Sequence, residues 1–105
     1  TGVIAHLNGA NTDDRLLAIR TDMDALPIIE RTNLEYASRE SGVMHACGHD
    51  VHTTVGLGTA MVLAELGEQL PGSMRFIFQP AEEIAQGASW MVADGAMENV
   101  TGILS

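Results

Sequence analysis

The stretch "HACGHD", residues 45–50, sets the only cysteine of the chain, Cys47, between His45 and His49, with Asp50 next and His52 two residues on. Later, "QPAEE" ends in Glu82 and Glu83, and earlier "TDMD" carries Asp22 and Asp24. Thiolate, imidazole and carboxylate are the ligands of zinc and of the later first-row metals. Cys47 and His49 are two residues apart. On a helix they would diverge by about 200°, whereas in an extended segment they face the same way. Gly48 between them allows a tight bend. An extended Cys-Gly-His is therefore expected to grip one ion or two adjacent ones. His45 and His52 are further candidates, but the same period cannot bring all four residues onto one ion. The neighbours Glu82 and Glu83 point to opposite sides of an extended chain. A division of labour fits them: one ligates, and the other takes a proton from water, as in metal-assisted hydrolysis.

Each piece also has a plainer reading. Asp-x-Asp occurs in solvated turns, paired glutamates are usually surface, and His6 reads as structural. One cysteine cannot form an intramolecular disulfide, so Cys47 is a buried small hydrophobe, a metal ligand or a nucleophile, and composition favours the first. Other site types fit worse. A zinc ribbon needs paired cysteines; Pro-Cys-x-x-Cys and His-Glu-x-x-His are both absent. A thiol protease pairing Cys47 with His49 or His52 would leave the acidic clusters without a role.

The elements that must position these residues follow from pattern. Residues 2–7 read as a strand, and "NGANTDD" at 8–14 as the turn of a hairpin leading to a second strand at 15–22. Residues 23–46 hold Pro27 and no steady period, so they read as a long irregular connection, a type usually functional or disordered. Residues 52–66 read as a helix with Val55, Ala60, Met61, Leu63, Ala64 and Leu66 on one wide apolar face. Asp50, Thr53 or Thr54 would cap its start and Gly67 its end. Gly56 and Gly58 within it imply close packing, since each costs about 1 kcal/mol against alanine. A strand at 73–80, a short helix at 87–96 and a strand from 101 complete the chain. The order gives an α/β fold: a partial three-layer structure with a mixed sheet and crossover helices. If the strands at 15–22 and 73–80 run parallel, all three polar clusters meet on one edge, at the carboxyl ends where such sheets bind ligands.

At 105 residues the chain is expected to be one domain with one core. Its net charge is -9, it has no lysine, and its five arginines are scattered. Such a chain cannot neutralise a row of phosphates, which argues against nucleic acid and anionic membranes as partners. There is no run of eighteen apolar residues and no signal-peptide pattern, so a cytoplasmic protein is expected. The opening "TGVIAHL" and the closing "VTGILS" read as the inside of a longer protein. A sheet cut from a larger domain exposes edges and apolar surface, so self-association as a homo-oligomer is expected.

Taken together, "RTDMDALPI", "HACGHDVHTT", "FIFQPAEE" and "DGAMENV" resemble the aminoacylase-like metallopeptidases. The match looks closest to the amidohydrolase branch with hippurate hydrolase, auxin-conjugate hydrolases and N-acyl-amino-acid deacylases. The resemblance runs over nearly the whole chain. It implies part of a metal-binding catalytic domain, without the smaller lid and dimerisation domain, and hydrolysis of the amide of N-acyl amino acids. It implies two divalent ions, drawn from zinc, manganese, nickel or cobalt. In that pattern Cys47, His49 and Glu83 are metal ligands, Glu82 is the general base, and Asp24 sits behind the metal and orients a ligand. Asp22, His45, Asp50 and His52 fall near the site with less defined roles. The family's two further ligand histidines have no counterpart within these residues. The resemblance thus implies that the chain alone is inactive, the alternative being a non-catalytic metal-binding or structural α/β fragment.

Overall fold

The computed structural model describes residues 2–10 and 15–105. In chain order the elements are β1 (Val3–Leu7), β2 (Leu16–Asp22), α1 (His49–Leu66), β3 (Ser73–Gln79), α2 (Gly87–Ala93) and β4 (Gly102–Leu104), with a 3-10 turn at Gly67–Gln69. They form one four-stranded mixed sheet of order β1-β3-β2-β4. β3 pairs antiparallel with β1, Val3 opposite Phe78, and parallel with β2, Asp22 opposite Gln79. β4 runs parallel to β2 along its other edge.

The hairpin expected between the first two strands is not made, because β3 lies between them. Residues 11–14 of the expected turn lie outside the described residues. What the structure shows at the end of β1 is a bond from the Ala10 amide to the Leu70 carbonyl, which ties the chain to the turn leading into β3.

Successive residues of a strand point to opposite faces, and the two helices use both. On one face, α1 brings Gly56 against Thr21 and Phe78. On the other, Met91 of α2 and Ala96 pack with Ala18 and Ile77, flanked by Ile4 and Val100. The result is the expected three-layer α/β arrangement. The chain crosses from β2 to β3 on one face and returns from β3 to β4 on the other, past β2. The boundary between β2 and β3 is therefore where strand order reverses, the place where open α/β sheets form a crevice. Arg75 of β3 is buried, and its guanidinium donates to the carbonyls of Ala96 and Glu98, both at 2.8 Å, which closes the chain beyond α2.

α1 departs from its expected form in two ways. It begins at His49, not residue 52, and its N-cap is Gly48 in the left-handed region at φ 83°, with no side-chain cap. The expected capping residues do other work. Thr53 Oγ1 donates to the Asp22 carbonyl at 2.7 Å, locking the helix to the end of β2, and Thr54 Oγ1 donates to the carbonyl of Asp50. The helix ends at Gly67 as expected. Its packed side takes in only part of the expected apolar face: Ala60 and Leu63 are half-buried in line with Thr53 and Gly56, whereas Val55, Met61 and Leu66 are 60%, 63% and 40% exposed. Gly56 is buried because only a small residue lets the helix axis approach the sheet; a Cβ there would lie 2.6 Å from Thr21 Cγ2. Gly58, by contrast, has open space beside it.

The connection 23–46 is irregular, as expected, yet it is tied. Leu26 and Met44 exchange two backbone bonds across it, and Glu30 accepts from the Ser38 amide at 2.7 Å and from the Thr32 hydroxyl. Among the described residues no helix is long and apolar enough to cross a membrane.

Candidate metal centre

β2 and β3 run parallel and in register to their last residues, so the chain leaves both at the same edge. The Met23 amide still donates to the Gln79 carbonyl, 2.9 Å away. Asp24 follows, and its Oδ2 accepts the Glu83 amide at 3.1 Å. One carboxylate thus joins the segment after β2 to the turn after β3. That turn is tight. Ala81 takes a left-handed φ of 55°, and its carbonyl accepts from the Gln86 and Gly87 amides. Gly87 passes so close to the Pro80 carbonyl that a side chain would collide with backbone. Glu82 and Glu83 are carried on this turn.

His49, the first residue of α1, is buried. Its Nδ1 lies 3.0 Å from the Asp24 carbonyl oxygen and 3.3 Å from Asp24 Oδ1. With Nδ1 held there as donor, Nε2 turns its lone pair outward, toward Glu82 Oε2 at 3.7 Å and Glu83 Oε1 at 4.0 Å. Burial by itself would raise the Asp24 pKa. The amides of Glu83, Glu82 and Asp24 itself, together with the His49 imidazole, outweigh it and hold the carboxyl below its ordinary value.

Cys47, His49 and Glu83 each offer one ligand atom, and the three atoms lie within 4.8 Å of one another. The reading of Cys47 that composition favoured, a buried hydrophobe, fails: the residue is exposed. The extended-segment argument also fails, although the two side chains do converge. Cys47 lies before the helix and His49 inside it, and the left-handed turn at Gly48 brings them to one side.

The donor set fits a divalent cation. A hydrogen bond donated by the Cys47 thiol to the Glu83 carboxylate, together with the Glu83 charge, holds the thiol pKa above its ordinary value, the reverse of what activates a free cysteine nucleophile. The imidazole lone pair and the two carboxylates face one another at 3.7–4.0 Å, too far for hydrogen bonds. An imidazole lone pair and two carboxylates turned toward one space is the arrangement a divalent cation would satisfy. With bonds of about 2.0–2.3 Å, tetrahedral donors stand roughly 3.3–3.8 Å apart, so the three ligand atoms, now within 4.8 Å of one another, would draw together around an ion.

The remaining candidates divide. Asp22 is buried, ion-pairs with Arg20, and lies 3.2 Å from His52 Nδ1 through Oδ2. Arg20 Nε in turn donates to Gln79 Oε1 at 3.0 Å. Asp22 and His52 thus form a pair beside the trio, one helical turn along α1, rather than part of it. His45 and Asp50 are exposed and also stand outside the trio. His6 is exposed on β1, so it is not the packed structural histidine expected. Arg20 and Gly87 went unremarked in the sequence. An arginine at the end of an otherwise apolar strand was the one available sign of the buried carboxylate it serves.

Residues 18–104 match the model of peptidase family M20/M25/M40. A Synechocystis protein named "Probable hydrolase sll0100" is 69% identical over 99% of this chain and 26% of its own length. The N-acetylcysteine deacetylase of Bacillus subtilis is 53% identical over 98% of this chain and 27% of its own. A crystal structure of a Bacillus subtilis dinuclear metal-binding peptidase of the M20 family superposes with a TM-score of 0.92 at 53% identity, covering 98% of this chain and 28% of that one. The chain spans about a quarter of the length of these relatives. With 87 consecutive residues matched, from the first buried position of β2 to the end of β4, the chain belongs to peptidase family M20/M25/M40.

Proposed function

We propose that this chain supplies the first half of the metal site of a hydrolase that cleaves the amide of N-acyl amino acids, and that it forms part of a single catalytic domain. The observation that carries the reading is the inward-facing trio of Cys47, His49 and Glu83, with Asp24 behind His49 and Glu82 beside it. The substrate class follows the activity named for the B. subtilis deacetylase relative. The two-ion expectation follows the dinuclear structural relative.

Each residue has a definite task. Cys47, His49 and Glu83 would hold the divalent ion or ions. Bound divalent cations polarise a carbonyl and lower the pKa of water. Asp24 fixes the His49 tautomer, so that Nε2 and not Nδ1 faces the ion. Glu82 is the more exposed of the two glutamates, at 42% of its side chain against 25%. It is free to take a proton from the water that attacks the amide carbon and to return it to the departing amine as the C–N bond breaks.

The test is Glu82→Gln in the whole protein. Turnover should fall by about 10²–10⁴-fold, the usual worth of a positioned acid–base group, while bound zinc or manganese stays at the wild-type level. Cys47→Ser and Glu83→Gln should instead lose metal. A Glu82→Gln protein that keeps its rate would overturn the assignment. The 105-residue chain alone should release no amino acid from N-acyl substrates.

A further inference from the structure

The connection 23–46 and the first two turns of α1 enclose a half-open groove of about 750 Å³, within the size range of small-ligand pockets. None of the metal trio lines it, but three of its lining residues are close sequence neighbours of the site. Its lining includes Ala25, next to Asp24, His45, two residues before Cys47, and Asp50, next to His49. Its walls are apolar through Leu34, Tyr36, Val43 and Val55, residues 41–83% exposed to solvent. Its charged lining is acidic: Glu30, Glu40 and Asp50, with no arginine.

We propose that this groove is the acyl subsite, and that it selects a neutral, extended apolar acyl group over acetyl and over acyl groups that carry a charge. The inference rests on the amidohydrolase reading above and names which end of the substrate lies where. An N-acyl amino acid has one anionic end, the α-carboxylate, and one neutral end, the acyl group. Three carboxylates, with His45 as the single basic side chain among the lining residues, disfavour the anionic end in the groove. The neutral end is then the one that enters, where apolar side chains otherwise left in water can be covered. The tied loop supports this. The Glu30–Ser38 and Leu26–Met44 bonds hold Leu34, Tyr36 and Val43 as a preformed wall. An acetyl group would leave most of the groove to water.

The test is an acyl series on one amino acid, N-acetyl- through N-octanoyl-leucine, with the zinc-loaded whole protein. From acetyl to octanoyl, kcat/KM should rise at least about tenfold, since each buried methylene contributes up to roughly fourfold. N-adipoyl-leucine, whose second carboxylate would fall among the acidic side chains, should be turned over more slowly than N-hexanoyl-leucine, and Glu40→Gln should narrow that gap. Val43→Ser and Val55→Ser, at half-exposed positions that the fold tolerates, should each lower the octanoyl-to-acetyl ratio. A flat series, or adipoyl equal to hexanoyl, overturns the subsite while the hydrolase reading stands. Loss of turnover on every member overturns the hydrolase reading, and the groove is then judged by binding. Added to the 105-residue chain, N-octanoyl-leucine should shift the Tyr36 and Val43 amide resonances at concentrations where N-acetyl-leucine does not. Equal or absent shifts would overturn the groove by themselves.

Discussion

Asp24 shows how much of the site rests on one carboxylate. Its Oδ2 accepts the Glu83 amide and its Oδ1 lies 3.3 Å from His49 Nδ1, whose hydrogen bond goes to the Asp24 carbonyl oxygen, so the residue as a whole sets both the tautomer of one donor and the approach of another. Asp24→Asn keeps the shape but can present an amide N–H to either partner. Metal affinity should fall by about 10–100-fold with the fold retained, which zinc titration alongside circular dichroism would check. Unchanged affinity would mean that His49 is oriented by the Asp24 carbonyl alone. At this scale the sequence was legible in residue types. Cys47, His49, Glu82, Glu83 and Asp24 were all identified as candidates and all lie together. The reason they converge was not legible. Period-2 geometry paired Cys47 with His49, and the two do converge, but by another route, because a left-handed glycine at a helix start is invisible to any periodicity.

At the scale of elements, the sheet order and the packed side of α1 were the hard parts. An Asn-Gly near the end of a strand favours a hairpin locally, but β1 pairs with a strand more than sixty residues away, and local patterning carries no record of that. The apolar stripe of α1 misled in part: Ala60 and Leu63 are half-buried, but where the helix comes closest to Thr21 and Asp22 the residues are Gly56 and Thr53. This gives a paired expectation. Gly58→Ala should stabilise the chain by about 1 kcal/mol through helix propensity. Gly56→Ala should destabilise it despite the same propensity gain, since its methyl would press on Thr21. Urea unfolding of both variants decides it, and equal shifts would remove Gly56 as a packing contact. The loop 23–46 has its own signature. The Ser38 amide, followed by the Thr32 hydroxyl, holds the Glu30 pKa below its ordinary 4.5. The stabilisation from the ionised form is complete above the ordinary glutamate range and is lost as pH falls through the lowered folded value. The Ser38 amide resonance should therefore move in acid below pH 4.5 and stay fixed in Glu30→Gln. A Ser38 resonance indifferent to pH would sink that link.

As a whole molecule the chain is flat, 48 × 29 × 17 Å, with a radius of gyration of 15.7 Å, where a compact domain of this length has about 13 Å. Much of α1 faces outward with Val51, Val55, Met61 and Val62 each 60–63% exposed. Apolar surface on that scale favours association. Sedimentation velocity should show a mass that rises with concentration, and Val55→Lys with Val62→Lys should shift it toward monomer. A monomer at every concentration would count against self-association through α1. The place of β3 has a consequence in time. The strand that joins the sheet, Ser73–Gln79, is synthesised late and pairs with strands made long before it. On a ribosome, β1 and β2 therefore emerge before the strand that joins them, and Cys47 and His49 emerge without Glu83. Long-range pairing of this kind folds slowly. Because β3 leads straight into the turn that bears Glu83, closure of the sheet and assembly of the donor trio are one kinetic event, and a nascent chain holds no preformed trap for stray metal before it.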